Sequence, residues 1–133
     1  LSYIFDDVRL IRSDSVTESI EEIHRIGEQD VILAISFPRY SVKTIQTVSF
    51  AKNRKAKIIA ITDGEQSPLA KYADCSIYAG SDMVSFVDSL VAPLSVVNAL
   101  LAALSMRYKD SVTDTMLSME SIWNTMNEYE RID

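Results

Sequence analysis

Four short, mainly apolar runs, Val8–Ile11, Val31–Ile35, Ile58–Ile61 and Cys75–Ala79, alternate with helical stretches. Together they constrain the fold more than any other feature. A continuous apolar run, unlike a half-apolar alternating one, is expected of a strand covered on both faces. Parallel strands also need crossover connections, usually helices. Residues from about Ser41 to Asn53 supply one, with Ile45, Val48, Ala51 and Phe50 as its inward positions. After Lys57–Thr62, Asp63-Gly64 marks a turn, and Ser67 can cap a short helix with Pro68 at its first position. Upstream, Val8–Ile11 reads as a short strand. Ser13 or Asp14 can then cap a helix carrying Val16, Ile20 and Ile23, with Gly27 suited to a left-handed helix exit. The alternation predicts an α/β fold, a doubly wound parallel sheet with helices on both faces. Ligands in such folds bind beyond the carboxyl ends of the strands, which places loops 36–41 and 62–67 at one rim.

Downstream the pattern changes. From about Ser85 the chain turns helical, and Ser89–Met106 carries no charged residue. At about 18 residues this run reaches the length of a membrane span. Pro93, Asn98, three serines and the α/β context argue instead for a helix buried by its own sheet and by a second subunit. A last helix carries Val112, Met116, Met119, Trp123 and Met126 along one seam. With no linker or repeat, residues 1–133 are expected to form one domain.

Charge and composition remove several functions. The net charge of −6 opposes direct nucleic-acid binding, which needs a basic footprint. The basic run Lys52-Asn53-Arg54-Lys55 with Lys57 falls at a helix end, where cations meet the negative end of the dipole. The one cysteine, Cys75, reads as a small buried hydrophobe in a reducing cytoplasm, and the one histidine, His24, excludes a His/Cys metal cluster. Neither a metal nor a cofactor is expected. There is no secretory leader pattern, and the start Leu1-Ser2-Tyr3 reads as that of a piece excised from a longer protein.

Chemistry concentrates in Ile35-Ser36-Phe37-Pro38-Arg39-Tyr40-Ser41. Ser36 at a strand end and Ser41 at a helix N-cap offer hydroxyls to phosphate or sugar oxygens. The helix N-terminus adds backbone N–H groups and a favourable dipole. Ser41 can equally serve only its own helix as a cap. Thr62 ends the next strand, Ser67 caps a helix at the same rim, and Ser85 and Ser89 open the long apolar helix.

Taken with Ala60-Ile61-Thr62-Asp63, Ser67-Pro68-Leu69-Ala70 and Ala73-Asp74, this loop resembles the SIS (sugar isomerase) domain. That family's pattern is Ser-x-Ser-Gly-x-Thr after a strand, then an Ile-Thr strand end, Ser-Pro-Leu-Ala and Ala-Asp. The variant Ser-Phe-Pro-Arg-Tyr-Ser is similar to the sensor domains of RpiR-type bacterial regulators. The resemblance, from about Val8 onward, matches Ser36 and Ser41 to the first serine and final threonine of a phosphosugar loop. Pro38 and Arg39 replace serine and glycine. Proline brings no N–H, whereas the planar fork of Arg39 can grip a phosphate or else pair across a subunit contact. The flavodoxin-like, three-layer SIS fold implied here lacks the family's first strand and its glycine-rich turn.

The resemblance therefore implies a cytoplasmic effector domain that binds a sugar phosphate or related sugar acid through Ser36, Arg39, Ser41, Thr62, Ser67 and Ser89. It also implies a homodimer or higher oligomer, with DNA reached only through an N-terminal helix-turn-helix domain not in this chain. The alternative is an aldose–ketose sugar-phosphate isomerase, which needs a placed base. His24 is expected far from the rim, and Glu65 is the best carboxylate. Without a well-placed base, binding rather than catalysis is expected.

Overall fold

The computed structural model describes residues 1–12, 14–81 and 89–126. Its elements are α1 (Val16–Glu22), β1 (Val31–Ile35), α2 (Val42–Asn53), β2 (Lys57–Thr62), β3 (Cys75–Tyr78), α3 (Val91–Arg107) and α4 (Lys109–Met126). The chain divides into two compact units, Leu10–Val97 and a second made of Leu1–Arg9 with the chain from Asn98 onward.

In the first unit the strands form one parallel sheet in the order β1-β2-β3. Helices flank it, as in a three-layer α/β fold short of one strand. All three carboxyl ends lie along the same rim. β2 is central and buries Ile58, Ala60, Ile61 and Thr62 completely. Ile58 and Ala60 gather in one core with Ala34, Val48, Ala51, Ala56 and Leu69, and Ile23, Ile26, Ile45 and Tyr72 pack against it.

β1 departs from the expected fully covered strand. It pairs only with β2 among the described residues, and Val31 and Ile35 stay exposed. Val8–Ile11, expected as a strand, forms none, since a strand needs a neighbour for its ladder.

Helix ends also correct the sequence reading. Ser13 lies outside the described residues, and α1 is capped by Ser15, whose Oγ accepts from the Glu18 N–H. This Ser-x-x-Glu order is that of a capping box. Gly27 does not take the left-handed conformation assigned to it. That geometry falls instead at Lys55, with φ 68°, just past the end of α2. There the Ala56 N–H reaches the Ala51 carbonyl and the Lys55 N–H the Lys52 carbonyl, which completes a Schellman motif.

No helix follows Ser67-Pro68. Successive three-residue bonds, from Ala70 to Ser67, Tyr72 to Leu69 and Ala73 to Ala70, make a chain of turns instead. Cys75, expected to be buried, is exposed at the start of the edge strand β3.

Asp74, from the Ala-Asp pair, has a structural task. One carboxylate oxygen accepts from the Ile58 N–H and the other from Lys52 Nζ, each at 2.8 Å. It thereby ties the start of β2 to α2. The Lys52 ammonium, with the Ile58 N–H second, holds its carboxyl below the ordinary value.

In the second unit, Phe5 meets Tyr108 edge to face, with ring centroids 5.5 Å apart. Leu1, Tyr3, Ile4, Leu101, Ser105, Val112 and Met116 line an open, mostly apolar groove. α4 fully buries none of its side chains. Leu117, Ile122 and Met126 are exposed along it. Among the described residues, no single helix is both long and apolar enough to cross a membrane.

Candidate functional site

β1 and β2 end side by side, and their loops meet as the parallel topology requires. Ser36 continues the ladder by donating its N–H to the Ile61 carbonyl. Its carbonyl accepts from the Thr62 hydroxyl at 2.7 Å. Thr62 Oγ1 also lies 2.8 Å from Ser67 Oγ, which accepts from the Leu69 N–H. Each hydroxyl has one proton. One arrangement runs from Leu69 N–H to Ser67, from the Ser67 hydroxyl to Thr62, and from Thr62 to the Ser36 carbonyl, with Asp63 Oδ1 a second acceptor 3.0 Å from Thr62 Oγ1. Thr62 and Ser67 have no solvent exposure, so this chain forms the dry floor of the rim.

Above it, the loop turns sharply. Arg39 has φ 63°, in the left-handed region that favours glycine. The position where Arg39 replaces the glycine of the family pattern therefore keeps glycine's geometry. Holding a non-glycine residue there costs about 1–2 kcal/mol. The turn delivers Ser41 to the N-cap of α2, where its Oγ accepts from the Thr44 N–H at 3.3 Å. The Ser41 N–H points back to Ser36 Oγ at 3.4 Å. Ser41 does cap its helix, but capping uses a lone pair and leaves the hydroxyl proton available. Arg39 and Ser41 are exposed, while Ser36 is buried beneath them. The first turn of α2 contains no acidic residue to oppose an anion at that N-terminus.

The structure thus brings Ser36, Arg39, Ser41, Thr62 and Ser67 to one rim. The hydroxyls of Thr62 and Ser67 are engaged within the protein. Ser89 is half-buried two residues before α3, and the hydrogen-bonded network above does not extend to it. Ser85 lies outside the described residues. Glu65 is exposed in the turn after β2.

His24 sits at the opposite end of α2, where its carbonyl accepts from Arg54. A 12-residue helix spans about 18 Å, which removes His24 from the rim. Its Nδ1 lies 2.7 Å from the Glu21 carbonyl, and its Nε2 faces Arg25 Nε.

Two residues were missed by sequence reasoning. The Tyr40 hydroxyl lies 2.9 Å from both oxygens of the Asp63 carboxylate. Burial above all, and then Asp63, push the phenol above its ordinary value despite an offsetting bond with Ser67, so it remains a donor. The rule that joined loops 36–41 and 62–67 could have paired them, since each loop contributes one of the two.

A family model described as the SIS domain matches residues 14–103. The chain is 31% identical over 105 residues to an uncharacterised HTH-type transcriptional regulator of Caldanaerobacter subterraneus subsp. tengcongensis. That match takes in 71% of this chain and 37% of the regulator. The sugar isomerase domain of an RpiR transcription factor from Sphaerobacter thermophilus superposes with a TM-score of 0.77 at 25% identity. It matches 84% of this chain and 62% of that one. The Vibrio vulnificus NanR protein, solved in complex with ManNAc-6P, has the same fold at a TM-score of 0.70 and 16% identity. There the match takes in 86% of this chain and 44% of NanR. The chain thus spans less than two thirds of each of these relatives.

Proposed function

Because this chain belongs to the SIS domain family, we propose that it is the effector-binding domain of a transcriptional regulator of carbohydrate metabolism. Its effector is a phosphorylated sugar or a closely related sugar acid. The observation that carries this reading is the left-handed Arg39 between Ser36 and Ser41. It preserves the turn of a phosphosugar loop and leaves Arg39 and Ser41 open to solvent at a helix N-terminus. Arg39 and the hydroxyl protons of Ser36 and Ser41 meet the phosphate. Thr62 and Ser67 shape the sugar side of the rim from below, and Ser89 completes the pocket.

The relatives support a regulatory rather than a catalytic role, since they are transcription factors by name. NanR, which shares the fold, was solved with a sugar phosphate. Effector binding shifts a population between two arrangements of a cytoplasmic homodimer or higher oligomer. DNA is reached only through an attached helix-turn-helix domain. The exposed apolar residues of α3 and α4, among them Leu94, Met106 and Leu117, suit a subunit contact.

The competing isomerase reading rests on Glu65, exposed in the turn after β2. NMR of the protein with a bound sugar phosphate separates the two. Binding with no aldose–ketose conversion is expected. Conversion that disappears in Glu65→Gln would make it an isomerase.

A further inference from the structure

We propose that Tyr40 and Asp63 are a positioning pair, holding the 36–41 loop in the form that receives the anionic group of the effector. This rests on the reading of that loop as the phosphate cradle. The end of β2 grips the loop at two points. Thr62 holds the Ser36 carbonyl at 2.7 Å, and Asp63 holds the Tyr40 phenol at 2.9 Å. Phe37, Pro38 and the left-handed Arg39 lie between the two grips. Tyr40 is also the last residue before the Ser41 cap. The second grip therefore sets both the Arg39 turn and the approach of Ser41 to Ser36. With it released, Arg39 relaxes toward negative φ, and the groups meant for the anion separate.

The pair has an electrostatic consequence as well. Asp63 places a negative charge at a rim that must accept an anion, and the phenol proton is directed at that charge. Tyr40→Phe removes the proton and exposes the carboxylate, so it harms anion binding both by geometry and by repulsion. Asp63→Ala removes the acceptor and the charge together. Asp63→Asn removes the charge but keeps an amide oxygen that can still accept from the phenol.

The test is calorimetric titration of the intact protein with inorganic phosphate and with glucose 6-phosphate, alongside circular dichroism to check folding. Wild type should bind at least one of these probes. Tyr40→Phe and Asp63→Ala should each weaken that binding roughly tenfold or more, as loss of a charge-assisted bond implies. Their combination should be no weaker than the weaker single variant, because both break one contact. Asp63→Asn should recover most of the affinity lost in Asp63→Ala, a rescue that a purely structural role does not require. Wild-type binding with all folded variants equally tight overturns the positioning pair and leaves the phosphate cradle standing. Wild-type indifference to both probes overturns the two together. If Tyr40→Phe fails to fold, the contrast between Asp63→Asn and Asp63→Ala decides.

Discussion

Thr62 donates its hydroxyl proton to the Ser36 carbonyl at 2.7 Å, joining the ends of two strands 26 residues apart in sequence. Both residues are buried. Thr62→Val keeps the side-chain shape but takes the hydroxyl donor away from the Ser36 carbonyl. A buried unsatisfied group costs about 1–3 kcal/mol, and a shift of several degrees in Tm follows for a domain of this size. Thermal melts should show that loss, together with weaker binding of a sugar phosphate. An unchanged Tm would mean that solvent replaces the bond and that the floor is not dry.

Arg39 combines a backbone demand with a side-chain role, and two substitutions separate them. Alanine at φ 63° meets the same strain as arginine, whereas glycine does not. Both Arg39→Ala and Arg39→Gly should lose about tenfold in affinity for an anionic sugar. Arg39→Gly should nevertheless melt higher than Arg39→Ala, by roughly 1 kcal/mol of stability. Equal melting temperatures would show that the turn is not strained in solution. Undiminished affinity in both would return Arg39 to a structural role.

Asp74 makes stability depend on acid pH. Lys52 and the Ile58 N–H depress its carboxyl in the folded state, so the unfolded chain takes up the proton first as pH falls. The contribution is fully present above the ordinary value of 3.8 and is lost as pH drops through the lower folded value. Asp74→Asn should melt below wild type at neutral pH, and the two curves should approach each other as pH falls below about 4. Parallel curves over that range would remove Asp74 from the acid response.

Much of this was legible from residue order. Continuous apolar runs marked β1 and β2, a run interrupted by Ser76 marked β3, and the topological rule placed loops 36–41 and 62–67 together. The failures have physical causes. Val8–Ile11 has a strand's composition, but a strand exists only when something pairs with it, and composition does not name a neighbour. Ser67-Pro68 has a helix start's chemistry, yet the segment leading to β3 closes in single turns. Lys55 and Arg39 take the left-handed positions usually given to glycine, so a search for glycines finds neither.

The second unit exposes Leu117, Ile122 and Met126 on a helix that fully buries no side chain of its own. An obligate interface resembles a core cut in half, so a dimer or larger assembly should persist at micromolar concentration in light scattering. Leu117→Glu, at a residue 61% exposed in the single chain, should dissociate it or weaken it markedly. A wild-type protein that scatters as a monomer would contradict the assembly.

The most direct test is a thermal-shift panel on the intact protein, pairing sugar phosphates and sugar acids with their uncharged parents. Ligand at a hundredfold excess over its Kd adds about 2.7 kcal/mol, a rise of several degrees in Tm. A rise with at least one anionic sugar, absent with its uncharged parent and lost in Arg39→Ala, is the expected result. Equal shifts with charged and uncharged partners, or none across the panel, would contradict a phosphosugar-binding regulator.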